Sequence, residues 1–119
     1  ADHTGVCGLS MGCGEAIEIG LKHPDLFHHM GFFSAGPFAS TKQTIVTTKE
    51  DAERINKEIK LCFFITGQYD HMMDDSGRRF VNNCDSLGMN SMFFEVKSTG
   101  HDDRCWDRAL YAFMKHAFK

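Results

Sequence analysis

A chain of 119 residues, 42% hydrophobic and 24% charged, has the balance of a globular protein and is long enough to bury one core. A formal net charge of −3 with no basic stripe argues against nucleic acid as a partner. No apolar run approaches a membrane span, so no membrane partner is expected either.

Residues 4–9 read as a short buried strand, and Met11 to Lys22 as a helix with Ala16, Ile17, Gly20 and Leu21 on one side. His23-Pro24 ends that helix, because the residue before proline is pushed away from helical angles. Met30-Gly31-Phe32-Phe33 is a second apolar run of strand length. Ser34 to Thr48, rich in Ser, Thr, Gly and Pro, reads as a loop long enough to suggest function or mobility. Lys49 to Lys60 places Ala52, Ile55 and Ile59 on one helical face.

Leu61-Cys62-Phe63-Phe64-Ile65 is apolar throughout, as a strand covered on both faces should be. After the turn Gly67-Gln68-Tyr69-Asp70, a helix over roughly 73–88 carries Met73, Gly77, Phe80, Val81, Cys84 and Gly88 in one stripe, with Gly88 suited to its C-terminal cap. Met92 to Lys97 reads as a fourth strand and Ser98-Thr99-Gly100 as a turn leading to His101. A last helix, about Arg104 to Phe118, is expected to bury Trp106, Leu110, Phe113 and Ala117. Alternating strands and helices imply an α/β fold with a parallel sheet and right-handed crossovers.

Gly8-Leu9-Ser10-Met11-Gly12 lies between the first strand and the first helix. A Gly-x-Ser-x-Gly match arises by chance in roughly one chain of this length in thirty, so position has to decide its meaning. A strand–Gly-x-Ser-x-Gly–helix order reads as a nucleophile elbow, a strained turn that lifts the Ser10 hydroxyl clear of the sheet. Gly8 and Gly12 are expected to relieve the crowding of that turn.

In parallel sheets the reactive site lies beyond the carboxyl ends of the strands. Ser10, Asp70 and His101 each fall there, after a different strand. A serine hydroxyl needs an imidazole to take its proton, and the imidazole needs a carboxylate to hold its tautomer. His101 is the candidate base and Asp70 the candidate acid. The order Ser…Asp…His is the one α/β-hydrolases use. The backbone N–H of Met11 is the candidate oxyanion donor, and this chain offers no early loop for a second one.

Asp74, Asp75, Asp102 and Asp103 are rivals for the acid, but their places later in the loops suit helix N-termini. His71 and His116 are weaker bases. Neither His28-His29 nor the run from His101 to Cys105 has the paired spacing of a zinc site, so no metal is expected. Cys7, Cys13, Cys62, Cys84 and Cys105 are odd in number and read as buried free thiols. Phe38 and Trp106 are candidates for an aromatic pocket, with core packing the rival reading for Trp106.

The elbow, together with Lys22-His23-Pro24-Asp25-Leu26-Phe27, Gly31-Phe32-Phe33-Ser34-Ala35-Gly36, Gly67-x-x-Asp70 and Gly100-His101-Asp102 before Trp106, resembles a family of α/β-hydrolase esterases. Its members include feruloyl and acetyl xylan esterases, S-formylglutathione hydrolase, enterochelin esterases and mycolyltransferases, and the resemblance is closest to feruloyl esterase domains. It implies Ser10 as nucleophile, Asp70 as acid and His101 as base. The implied reaction is ester hydrolysis through an acyl-enzyme, without cofactor, on ferulate or acetate esters of plant cell-wall polysaccharide. An acyltransferase on the same three residues and an inactive fragment or binding module are the alternatives. Cys13 stands where the family usually has glycine.

The resemblance begins at the family's fifth strand. Residues 1–119 are therefore expected to form a single partial domain, the C-terminal half of the fold, requiring an upstream half that carries the second oxyanion donor. The first strand is then expected to be an edge with an exposed apolar patch beside it. The family relatives point to an extracellular setting and the unpaired thiols to a reducing one, so the sequence assigns no localisation.

Overall fold

The computed structural model describes residues 3–42, 44–72 and 75–119. The expected positions Met73 and Asp74 lie outside the described residues, as do Ala1, Asp2 and Gln43. Four parallel strands form one sheet in the order of the chain: β1 Gly5–Leu9, β2 His29–Phe33, β3 Leu61–Gly67 and β4 Met92–Val96. The helices are α1 Met11–Lys22, α2 Lys49–Glu58, α3 Asp75–Ser86 and α4 Asp103–His116. Residues 34–48, read from sequence as a loop, include a short 3-10 helix over Gly36–Lys42.

The period of two along the strands divides the core. Met30 and Phe32 of β2 and Cys62 and Phe64 of β3 face one layer with Ile17 and Leu21 of α1, Ala52 and Ile55 of α2, and Phe80 and Cys84 of α3. Phe33, Phe63 and Ile65 face the other way, against Ala109 and Phe113 of α4. Among the described residues, therefore, α1, α2 and α3 cover one face and α4 alone covers the other. It packs on β2 and β3, the two central strands, whose residues are almost wholly buried.

Both edges differ from that centre. β1 was expected to be buried and is only half buried, because α4 does not reach across it. Cys7 is consequently exposed, against its reading as a buried thiol; Cys13, Cys62, Cys84 and Cys105 are buried as expected. Leu110, expected on the buried side of α4, is 46% exposed for the same reason: it looks toward the uncovered flank of β1. Leu9, Leu110, Trp106, Phe33 and Cys7 line an open groove there of about 250 Å³. On the far edge β4 leaves Met92 and Phe94 substantially exposed.

Local signals set the helix ends. Thr48 and Asp51 form a reciprocal capping box at the start of α2. After α3, Gly88 takes φ +89°, the Met89 N–H donates to the Cys84 carbonyl and the Gly88 N–H to the Asp85 carbonyl. That is a Schellman stop. Among the described residues no helix is long and apolar enough to cross a membrane.

Candidate active site

Ser10 is the hinge between β1 and α1. Its φ of 55° and ψ of −124° put it in a region that L-residues rarely occupy. The strain is held by the sheet, since the Ser10 N–H donates to the Phe33 carbonyl of β2 at 3.0 Å. A Cβ at Gly8 would stand 2.3 Å from the Gly12 carbonyl oxygen and 2.7 Å from its carbon, so only glycine fits where the strand passes under the helix start. Gly12 was expected to serve the same end and does not. A Cβ there meets nothing within 4 Å, because it points outward from the first turn of α1. Gly12 contributes its carbonyl to the close approach, and Gly8 supplies the missing side chain.

A second close approach joins the other two strand ends. A Cβ at Gly67 would meet the Gly100 carbonyl oxygen at 2.4 Å and that of Thr99 at 2.8 Å. The end of β3 therefore lies directly against the turn that carries His101. The Tyr69 N–H donates to the Thr99 carbonyl at 2.8 Å and fixes the two together.

These approaches bring Ser10, Asp70 and His101 into one line. The Ser10 Oγ lies 2.7 Å from His101 Nε2, and His101 Nδ1 lies 3.0 Å from Asp70 Oδ2. A carboxylate only accepts, so Nδ1 carries the proton. In the neutral ring Nε2 is then the acceptor, and the Ser10 hydroxyl donates to it. The Asp70 side chain is 1% exposed and that of His101 20%. Oδ1 of Asp70 accepts the Met72 N–H at 2.9 Å, and the buried Thr66 hydroxyl approaches Oδ2 at 3.4 Å. The carboxylate is thus oriented on both oxygens.

Met11 is the first residue of α1, so its N–H is among the helix-end donors without an intrahelical acceptor. It follows Ser10 at the positive end of the helix dipole, where developing negative charge is favoured.

The rivals go elsewhere. Asp102 caps α4: Oδ1 accepts the Cys105 N–H and Oδ2 the Gly100 N–H, each at 3.0 Å. These N–H donors hold its carboxyl below the usual aspartate range. Asp103 lies in the first turn of α4. Asp75 is the first residue of α3, and Asp74 lies outside the described residues. His28 is buried and donates from Nδ1 to the Glu58 carbonyl; His29 is buried against the Phe118 ring. His116 packs edge-on against Phe63, and His71 is exposed. Among the described residues no group of three His, Cys, Asp or Glu is placed to hold a metal ion.

Two residues at the site, Thr66 and Ser34, carry no expected task from the sequence, and a third, Trp106, carries two rival ones. Thr66 is the last buried hydroxyl before the Asp70 turn. Ser34, directly after β2, is 1% exposed with φ 55°. Trp106 Nε1–H donates to its hydroxyl at 2.9 Å. The sequence leaves Trp106 between an aromatic pocket and the core. It is half-buried and stands edge-on to His101, with ring centroids 5.1 Å apart. A polar residue at or just after a strand's carboxyl end is the signal that marks Thr66 and Ser34.

No family model matches the sequence. Among solved structures the chain is similar to a ferulic acid esterase, with a TM-score of 0.74 and 22% identity over 93% of this chain and 49% of that one. It is also similar to a CE1 ferulic acid esterase from Anaeromyces mucronatus. In complex with ferulic acid that enzyme gives a TM-score of 0.78 and 20% identity over 98% of this chain and 45% of that one. Without substrate it gives 0.72 and 19% over 98% and 44%. At such identities the likeness is one of fold: the four-stranded parallel sheet with its helices recurs within larger proteins. The chain spans a little under half the length of each.

Proposed function

We propose that this chain is the nucleophile-bearing part of a serine carboxylic-ester hydrolase that works through an acyl-enzyme. The observation that carries the proposal is the hydrogen-bonded line from Ser10 through His101 to Asp70, at 2.7 and 3.0 Å, with Ser10 on a strained strand-to-helix turn.

In this mechanism the Ser10 oxygen attacks the ester carbonyl carbon as His101 Nε2 takes the hydroxyl proton. Asp70 stabilises the imidazolium that results. The Met11 N–H donates to the oxyanion of the tetrahedral intermediate. Collapse breaks the bond to the alcohol oxygen, which leaves with the proton from Nε2, and Ser10 remains acylated. Water then attacks the acyl carbon, giving its proton to Nε2, and the acid departs as Ser10 regains its hydrogen.

The substrate class we propose is a feruloyl or acetyl ester of plant cell-wall polysaccharide. Its support is the ferulic acid esterase names of the similar structures, one of them bound to ferulic acid. We further propose that residues 1–119 are the C-terminal half of the hydrolase domain and that an upstream half completes it. The half-buried edge strand β1, the groove beside it and the twofold greater length of the similar structures support this. The second oxyanion donor belongs to that upstream half. Without it turnover falls by about 10²–10³, the scale for one lost donor.

A fluorophosphonate probe tests the nucleophile without requiring turnover. Wild type is expected to carry one adduct, on Ser10 by peptide mass spectrometry, and Ser10→Ala none. An adduct on another residue, or equal labelling of Ser10→Ala, would overturn the assignment. Release of ferulate from methyl ferulate by wild type but not by Ser10→Ala tests the substrate class.

A further inference from the structure

His101 hangs from the short connection between β4 and α4, and its ring can pivot about two side-chain bonds. Among the described residues two hydrogen bonds hold it, to Ser10 and to Asp70. On the proposed mechanism the first is lost when Ser10 is acylated, just when the ring must stay aligned to activate water. Something other than Ser10 has to fix its plane.

The indole of Trp106 is in place to do so. It meets the imidazole edge-to-face, at a centroid distance of 5.1 Å and an interplanar angle of 84°. The indole is itself tethered, through Nε1–H to Ser34 Oγ at 2.9 Å. Ser34 is anchored in turn, since its N–H donates to the Ile65 carbonyl of β3 at 2.7 Å. At the other end of the contact, Asp102 ties Gly100 and Cys105 together, so the imidazole and the first turn of α4 move as one piece.

Packing alone explains neither side chain. Glycine would sit at φ 55° with less strain than Ser34, and phenylalanine would fill the place of Trp106 without needing an acceptor. Both choices make sense as the two halves of the Trp106–Ser34 hydrogen bond, with the Cys105 thiol as a further partner of Ser34.

We propose that Trp106, pinned by Ser34, is a positioning residue that holds the His101 imidazole in line with Asp70 after Ser10 has been acylated. This rests on the reaction proposed above. Its first readout does not need that reaction.

The experiment uses the full 119-residue chain, ¹⁵N-labelled, as wild type, Trp106→Phe, Ser34→Ala and the double variant. The His101 Nδ1–H resonance is followed by NMR, and the rate of Ser10 phosphonylation is measured at one pH. Thermal melts establish that each variant is folded at the assay temperature. In both folded single variants the Nδ1–H signal is expected to broaden and to exchange with water about tenfold faster, the scale for losing one hydrogen bond of a positioning set. Phosphonylation slows by a similar factor. The double variant is expected to be no worse than either single, because both remove the same link.

A sharp, slowly exchanging Nδ1–H in folded Ser34→Ala would overturn the proposal, as would additive losses in the double variant. If Trp106→Phe fails to fold, Ser34→Ala decides alone, since it leaves the indole in place. Absence of any Ser10 adduct in wild type would instead sink the hydrolase reading, while the Nδ1–H signal still reports whether Trp106 holds the ring.

Discussion

Two Gly→Ala substitutions within one pentapeptide, Gly8→Ala and Gly12→Ala, should act in opposite directions. At Gly8 the added methyl would lie 2.3 Å from the Gly12 carbonyl oxygen, 2.7 Å from its carbon and 3.1 Å from the Ala16 methyl. Ordinary contact between such atoms is about 3.5 Å, so strand and helix must part by roughly 1 Å. The obstacle is backbone on both sides, and no rotamer change relieves it. The cost belongs at the upper end of overpacking, about 3 kcal/mol, a large share of the ~5–15 kcal/mol that holds a domain together. At Gly12 the methyl meets nothing within 4 Å and the backbone is not left-handed. Better helix propensity and a less flexible unfolded chain should stabilise by about 0.5–1 kcal/mol.

Urea unfolding followed by far-UV circular dichroism measures both. With a slope of about 1.5 kcal/mol per molar, the Gly8→Ala midpoint should fall by about 2 M and the Gly12→Ala midpoint rise slightly. Equal destabilisation by the two variants would refute the asymmetric geometry. So would a Gly8→Ala protein within about 0.5 kcal/mol of wild type, the ordinary range for an unremarkable surface change.

Ser10→Gly should raise stability by about 1 kcal/mol while ending phosphonylation, because it removes the cost of a non-glycine residue at φ 55°; a lower melting temperature would mean that the turn is not strained. Thr48→Ala should cost about 1 kcal/mol by opening the capping box of α2, read from urea midpoints at pH 7. The N–H groups of Thr47 and Thr48 hold the Asp51 carboxyl below its ordinary value, so the stability that Asp51 adds is present above the unfolded pKa of about 4 and is lost as pH falls through the folded one. The advantage of wild type over Asp51→Ala should therefore shrink below about pH 4, and a constant difference down to pH 2 would contradict the linkage. Of five thiols, Cys7 alone should react with Ellman's reagent in the native chain, and slowly, because partial burial raises its pKa. Burial pushes Cys84 up to about 12 and raises Cys13, Cys62 and Cys105, so these should react only in denaturant; two or more rapid equivalents would count against the packing described.

Much of the architecture is local and therefore readable from the chain. The all-apolar run from Leu61 to Ile65 announces a strand covered on both faces, and β3 is central. The alternation of strands and helices implies a parallel sheet, and all three strand pairs are parallel. The elbow pentapeptide and the polar residues after β3 and β4 mark three positions at one end of that sheet, because a parallel sheet gathers its carboxyl ends on one side.

What the chain does not show locally is which atoms meet across it. Leu110 and Cys7 look like core by type, and they are exposed because α4 crosses β2 and β3 and stops short of β1. Gly8 and Gly12 look equivalent in a motif, yet only one faces a backbone. Gly67 looks like a turn glycine, and its task is to let the Thr99–Gly100 backbone approach. Residue type, period and caps act within a few positions along the chain, so sequence determined the elements, their order and the end of the sheet that carries Ser10, Asp70 and His101. The 2.7 and 3.0 Å contacts among those residues span 91 and 31 positions. They exist only once helices and strands have packed, and tertiary structure alone decided them, along with the Ser34–Trp106 tether beside the imidazole.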